Sequence, residues 1–154
     1  MNTRNPKADA CLLEALGQIR PEELPGFLDA HRGELLTEPR PFAAYMRETF
    51  RKKGVLRQNV FLAADLSENY GYKLISEEKH TINRDTILRL CMAAGFSMPE
   101  TQEALILYGM APLYVLLPRD ILIMTAIRHG IREVHQINEL MRSCALLPLT
   151  EESE

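Results

Sequence analysis

The chain is expected to be all-α, on three observations. Apolar residues recur at i, i+3, i+4 spacing in one segment after another, and prolines and glycines cut the chain between those segments. No Asn-Gly or Asp-Gly hairpin turn occurs, and the β-branched residues follow helical rather than alternating spacing. With 154 residues, 46% of them hydrophobic and 25% charged, the chain is long enough for one domain with a real core and ordinary in composition.

The first amphipathic segment is Ala10–Ile19, with Leu12, Leu13, Leu16 and Ile19 on one side. Pro21 with Glu22 and Glu23 opens a second helix, since proline suits the first turn and acids suit the positive end of the dipole. Glu38-Pro39-Arg40-Pro41 breaks the chain and marks a boundary, so residues 1–38 form an N-terminal helical extension. Beyond it, Phe42, Tyr45, Met46 and Phe50 define a helix that stops at Gly54. Arg57–Ala64 is a short helix, Asp65-Leu66-Ser67 a tight turn, and Ser67 the N-cap of a third helix that runs to Ile75. Asn83–Ala94 makes a fourth helix, stopped by Gly95. Ser97 and Glu100 form a capping box that opens a fifth, running to about Gly109. An apolar connector, Met110–Pro118, leads to two further helices, about Arg119–His129 and about Arg132–Cys144. The acidic end of the chain, residues 151–154, is expected to fray.

Net charge is −3, but it is unevenly spread: Arg40 to Leu90 holds ten Lys+Arg and six Asp+Glu, a balance of +4, against −7 for the remainder. The N-terminal segment Met1 to Cys11 lacks the apolar stretch of a secretory signal and no apolar run is long enough to span a bilayer, so a cytoplasmic protein without membrane association is expected. Cys11, Cys91 and Cys144 are scattered and fall on apolar helix faces, where free cysteine acts as a small hydrophobe; all three are assigned to the core. His31, His80, His129 and His135 show no metal-ligand spacing, and neither a phosphate loop nor a nucleophile elbow is present. No enzyme, metal or cofactor is expected.

The order of the five helices over residues 39–111 is that of a helix-turn-helix domain, in which the third helix enters the major groove of double-stranded DNA and the second crosses the backbone. The base-reading candidates are Ser67, Asn69, Tyr70 and Lys73, since Asn pairs bidentately with adenine and Ser and Lys address several acceptors. Tyr70 also fits a core-closing position, and Tyr72 is assigned to the core. Arg51, Lys52, Lys53, Arg57, Gln58 and Lys79 are the phosphate candidates, although a basic run at a helix C-terminus also suits the dipole. Gly71, costly inside a helix, suits a place where another surface comes close. Arg84-Asp85 reads as a helix-start ion pair or cap. Arg119-Asp120 reads likewise or as a pair across a dimer interface. Asn138 is expected to bond a loop carbonyl or amide, or else to pair across a two-fold axis.

Six stretches resemble the repressor-type (XRE/Cro-like) helix-turn-helix regulators, and more closely a bacterial subgroup with a C-terminal helical extension. Tyr70-Gly71-Tyr72-Lys73-Leu74-Ile75 is similar to that subgroup's third helix, Arg84 to Leu90 to its fourth, and Pro99-Glu100-Thr101-Gln102 to its fifth. Pro112-Leu113-Tyr114, Arg119 to Ile123 and Ile137 to Met141 resemble its extension, here residues 112–150. The resemblance implies a transcription regulator that binds DNA, usually as a homodimer, and the connector Leu113–Leu117 with the last two helices is the expected dimerisation surface. Three places depart from the pattern: Phe61 replaces a small residue, Asp65 replaces a glycine in the turn, and Glu77-Glu78-Lys79-His80-Thr81-Ile82 stands where the resembling domains have a glycine just after the third helix, then basic residues and a proline. Glu68, Glu77 and Glu78 near the expected DNA face would repel phosphate. They motivate the alternative, the same fold used as a protein-interaction module.

Overall fold

The computed structural model describes residues 6–35 and 41–150. Every regular element among them is helical, as the periodicity predicts, and none of these helices is long and apolar enough to cross a membrane. The chain divides into two compact units, Met1–Pro39 and Arg40–Glu154. The proline-rich break lies largely outside the described residues, as does the acidic end at 151–154.

The first unit contains α1 (Pro6–Leu16), a single 3-10 turn at Pro21–Glu23, and α2 (Leu24–Ala30). The helix α1 stops short of the expected Ile19 because Gly17 follows Leu16. The Arg20 backbone N–H donates to Glu23 Oε2 at 3.1 Å and holds the 3-10 turn. Two short helices enclose no interior, so none of the side chains described in this unit is buried. Cys11 is exposed for that reason, against the expectation that it lies in a core.

The second unit runs through α3 (Phe42–Lys53), α4 (Arg57–Ala63), α5 (Glu68–Ile75), α6 (Arg84–Ala93), α7 (Met98–Leu107), α8 (Pro118–Arg128) and α9 (Val134–Ser143). The central helix is α6: Thr86, Ile87, Leu88, Leu90, Cys91 and Met92 are all buried, so it is covered nearly all round. Phe42, Met46 and Phe50 of α3, Phe61 of α4 and Leu74 of α5 close one side of the core, and Leu105 of α7 joins them. The same apolar cluster continues into Leu113, Ile123, Ile137, Met141 and Leu149. Residues 41–111 and 112–150 therefore share one core, with no division between them.

Local chemistry sets the helix ends. Ser67 Oγ accepts from the Tyr70 N–H at 3.3 Å, Asn83 Oδ1 from Asp85 N–H at 3.0 Å, and Ser97 with Glu100 forms the expected capping box. Helix α4 closes with Leu66 N–H on the Phe61 carbonyl at 2.9 Å and Asp65 N–H on the Leu62 carbonyl at 3.2 Å. Asp65 there is left-handed, at φ 56°, and Glu77 after α5 is left-handed at φ 62°. Both are non-glycine residues in a backbone region that favours glycine. Arg89 steadies the first, its Nη1 donating to the Ala64 and Asp65 carbonyls at 3.1 and 3.3 Å.

Side-chain pairs hold the C-terminal helices to the core. Arg84 at the start of α6 grips Asp120 of α8 through both guanidinium nitrogens, and Arg119 of α8 grips Asp85 in return at 3.2 and 2.9 Å. The two Arg-Asp dipeptides thus cross-pair within one chain, and neither forms the separate helix-start pair expected for Arg84-Asp85. Asp120, only 1% exposed, also accepts from Tyr114 N–H at 2.9 Å. Gln102 exchanges two bonds with the Leu113 backbone, at 3.0 and 2.7 Å. Asn138 is buried and accepts from the Leu149 amide at 2.8 Å, the loop-bonding role anticipated for it. Cys144 caps the end of α9 and is exposed, a second departure from the core assignment, since the chain has already left the helix there.

Candidate nucleic-acid interface

Helix α5 is placed by a contact that the sequence holds in two halves. A Cβ on Gly71 would stand 2.7 Å from Cγ of Phe61, well inside van der Waals contact. The large residue on α4 is therefore matched by the missing side chain on α5, and the two short helices close tightly across their turn. With Gly71, Leu74 and Ile75 turned inward, helical geometry turns Asn69, Tyr72, Lys73 and Ser76 outward together.

That outer face forms one wall of a cleft of about 580 Å³. Asn69, Tyr72 and Lys73 contribute from α5, Arg57 from the first turn of α4, Arg47 from α3, and Glu78 from beyond the end of α5. The Arg57 guanidinium sits 5.9 Å from the centre of the Tyr72 ring, a cation–π stack, and the ring's edge rests on Phe61 at 5.0 Å between centroids. Tyr72 is 38% exposed and belongs to this surface, whereas it was assigned to the core. Tyr70 is half-buried, packs against the core and does not line the cleft. The exchange follows from Gly71: once position 71 faces Phe61, position 72 falls at the rim.

The structure brings Asn69, Lys73 and Arg57 together and distributes the other candidates. Ser67 is exposed, but its Oγ is engaged as the α5 cap. Gln58 Nε2 donates to Glu68 Oε1 at 3.2 Å and ties the start of α4 to the start of α5. Arg51 is exposed one turn beyond Arg47 on α3 and continues its side of the helix. Lys52 pairs with Glu48 at 3.5 Å. Lys53 is drawn to the first turn of α7, where its Nζ meets Glu100 Oε1 at 2.6 Å. Burial alone would raise the Glu100 pKa, but the bonds from Lys53 and Ser97 outweigh it and bring the carboxyl below its ordinary value. Lys79 is exposed past α5, with its backbone N–H on the Lys73 carbonyl at 3.1 Å, and does not line the cleft. Arg47 was missed; its sequence signal is the i, i+4 spacing to Arg51 on the polar side of α3.

The three nearby glutamates are not equivalent. Glu77 Oε2 accepts from the Ala43 N–H at 3.3 Å, in the first turn of α3, where the helix dipole favours a carboxylate. Glu68 takes the Gln58 amide. Glu78 is the acidic residue that lines the cleft. Arg47, Arg57 and Lys73 form no ion pair among the described residues, so three cations face one carboxylate. Compared with protein-family models, curated proteins and solved structures, the chain has no significant match.

Proposed function

We propose that the protein is a DNA-binding transcription regulator of the repressor-like helix-turn-helix kind, acting by recognition rather than catalysis, with α5 entering the major groove. The observation that carries this reading is the cleft: Arg47, Arg57 and Lys73, without ion-pair partners among the described residues, around the outward face of α5. An α-helix fits the roughly 12 Å width of the B-DNA major groove, and base contacts come from the start of the recognition helix. Asn69, the second residue of α5, is then the adenine reader, and Lys73, one turn on, reaches guanine or phosphate. Arg57 with Arg47 and Arg51 contacts the backbone, and Tyr72 holds the Arg57 guanidinium in place. Left-handed Asp65 supports the assignment, because it takes a glycine-favouring conformation in the turn where the resembling domains carry glycine. The protein-interaction alternative drew its force from three glutamates, and two of them already have partners.

The test is fluorescence anisotropy of the full chain with duplexes drawn from a randomised library and from DNA upstream of its own coding sequence. A selected duplex is expected to bind in the nanomolar range, with affinity falling steeply as salt rises. Asn69→Ala should relax preference at one base pair by about 1–3 kcal/mol, and Arg57→Ala should weaken all duplexes alike. Micromolar or weaker binding to every duplex at low salt overturns the reading.

A further inference from the structure

A second cleft, of about 550 Å³, opens where the start of α6, the start of α8 and the segment 147–150 meet. Small-molecule sites commonly have a volume of this order. Arg119 and Asp85 both line it, but they neutralise each other. Both Asp85 oxygens are taken by Arg119, which gives its other N–H groups to the Leu147 and Pro148 carbonyls at 3.0 and 3.2 Å. Arg89, half-buried in the same cleft, is placed differently. It forms no ion pair among the described residues. Its hydrogen bonds leave from Nη1 alone, to the Ala64 and Asp65 carbonyls, and its Nε–H is buried with no acceptor among the described residues. Burial pulls the Arg89 pKa below its ordinary value, and the Asp65 and Asp85 carboxylates offset this only in part. Arginine stays protonated even so, and the cleft therefore holds a desolvated positive charge with one edge unused.

We propose that this cleft binds a small organic carboxylate, received by the Nε–Nη2 edge of Arg89. That edge is a planar fork whose two N–H groups match the two oxygens of a carboxylate. A buried N–H without an acceptor is costly, and the ligand supplies one. Two further donors stand at the cleft. Asn83 uses Oδ1 as the α6 cap and Thr150 Oγ accepts from Asn138 Nδ2 at 2.8 Å, so the Asn83 amide and the Thr150 hydroxyl each keep a proton to give. Arg89 and Arg119 against Asp85 leave a balance of +1, which one carboxylate cancels and a phosphate dianion overshoots. The rest of the lining, Leu147, Pro148 and Leu149, is apolar and suits a short hydrocarbon body that free phosphate lacks. The site also reaches the turn before α5, because Arg89 Nη1 holds the Ala64 and left-handed Asp65 carbonyls. A ligand that draws the guanidinium toward the cleft pulls on that turn. Its consequence for recognition rests on the DNA-binding reading; the binding itself does not.

Proton–nitrogen correlation spectra of the full chain test this, with hexanoate, benzoate and inorganic phosphate titrated separately at constant ionic strength. The Arg89 Nε–H signal is expected to shift saturably with hexanoate or benzoate, half-saturating below about 10 mM, and phosphate should give no saturable shift there. The amides of Asp65 and Leu66 should move with it. Leu147 is 76% exposed, so Leu147→Glu should keep the thermal midpoint while setting a fixed carboxylate at the cleft. It should raise the half-saturation concentration about tenfold, as should Arg89→Lys, read at the Leu66 amide, which keeps the charge and loses the fork. No saturable Arg89 shift with either acid overturns the proposal, and so does unaltered half-saturation in either variant. Equal saturation by phosphate would make this a simple anion site, and shifts at Arg57 and Lys73 alone would place the acid in the α5 cleft; either result overturns it. An Arg89 shift with the Asp65 and Leu66 amides unmoved overturns the link to the turn. No DNA is in the sample, so failure here and failure of the duplex titration are separate results.

Discussion

At the seam between α6 and α8, each arginine faces a carboxylate: Arg84 lies on Asp120 and Arg119 on Asp85, both with two guanidinium nitrogens. At the α5 cleft, Arg47, Arg57 and Lys73 face outward with no ion pair among the described residues. The two regions draw on the same residue types within one small unit. Arginine at the seam is neutralised, partly buried and fixed by geometry, which is how charge is used to join two parts of a fold. Cations at the cleft keep their charge available, which costs little while they stay hydrated and has value only when an anion arrives. The comparison separates stability from recognition, and substitutions in the two regions should divide along that line.

The largest effect is expected at the seam. Asp120→Ala leaves Arg84 without its carboxylate and Tyr114 N–H without its acceptor, so unfolding in urea should lose about 3–5 kcal/mol. Arg57→Ala at the cleft should shift the same free energy by less than about 0.5 kcal/mol. A cost below about 1 kcal/mol for Asp120→Ala would mean that α8 and α9 are held by apolar packing alone, and the contrast would collapse.

The next effect belongs to the floor of the cleft, where structure and recognition meet. Gly71→Ala drives a methyl group into the Phe61 ring and should cost about 1–3 kcal/mol as overpacking. Phe61→Leu makes room, so the double variant should be more stable than the two single costs predict, with coupling of about 0.5–3 kcal/mol. Additive costs in a double-mutant cycle would show that the glycine serves something other than the phenylalanine.

The helices were legible because their signals are local. Ser97 with Glu100, Ser67, Pro118 and the glycines after α6, α7 and α8 mark ends within a few residues of the chain, and bounds agree to within about a turn. The α6–α8 seam was not legible in the same way. Arg84 and Asp120 lie 36 residues apart, and nothing in either dipeptide says that each will pair with the other rather than with itself. Within the cleft, Asn69, Lys73 and Arg57 could be found from helix order and residue type. Assigning Tyr72 to the surface and Tyr70 to the core required the rotation of α5, which is set by the Gly71–Phe61 contact. Arg47 needed knowledge of how α3 crosses α5. Exposure of Cys144 depended on where α9 ends and what lies over it.

A smaller effect tests whether Lys53 belongs to the seam's kind of chemistry, as its bond to Glu100 says, or to the cleft's, as its basic neighbours suggest. The Glu100 carboxyl is held below its ordinary value in the folded chain. A depressed acid adds stability above its unfolded pKa and loses that contribution as pH falls through its folded pKa. Lys53→Ala should therefore cost about 0.5–1 kcal/mol near neutral pH, discounted for partial exposure, and almost nothing in acid once Glu100 is protonated. Urea titrations of both proteins at the two pH values measure this. An equal difference at both would place the value of Lys53 outside the pair.

The smallest change in stability should accompany the sharpest functional distinction. Arg47→Ala should leave unfolding within about 0.5 kcal/mol of wild type, since the side chain is exposed and forms no ion pair among the described residues. If Arg47 neutralises a phosphate, removing it should lower the slope of log affinity against log salt by about one. Lys53→Ala, whose cation is held by Glu100, should leave that slope unchanged. The two lysine and arginine positions lie six residues apart on one helix with the same formal charge, so a difference between their slopes can come only from where their charges are placed. Equal slopes would show that α3 contributes a diffuse positive field, and the α5 cleft would lose its claim to be the contact surface.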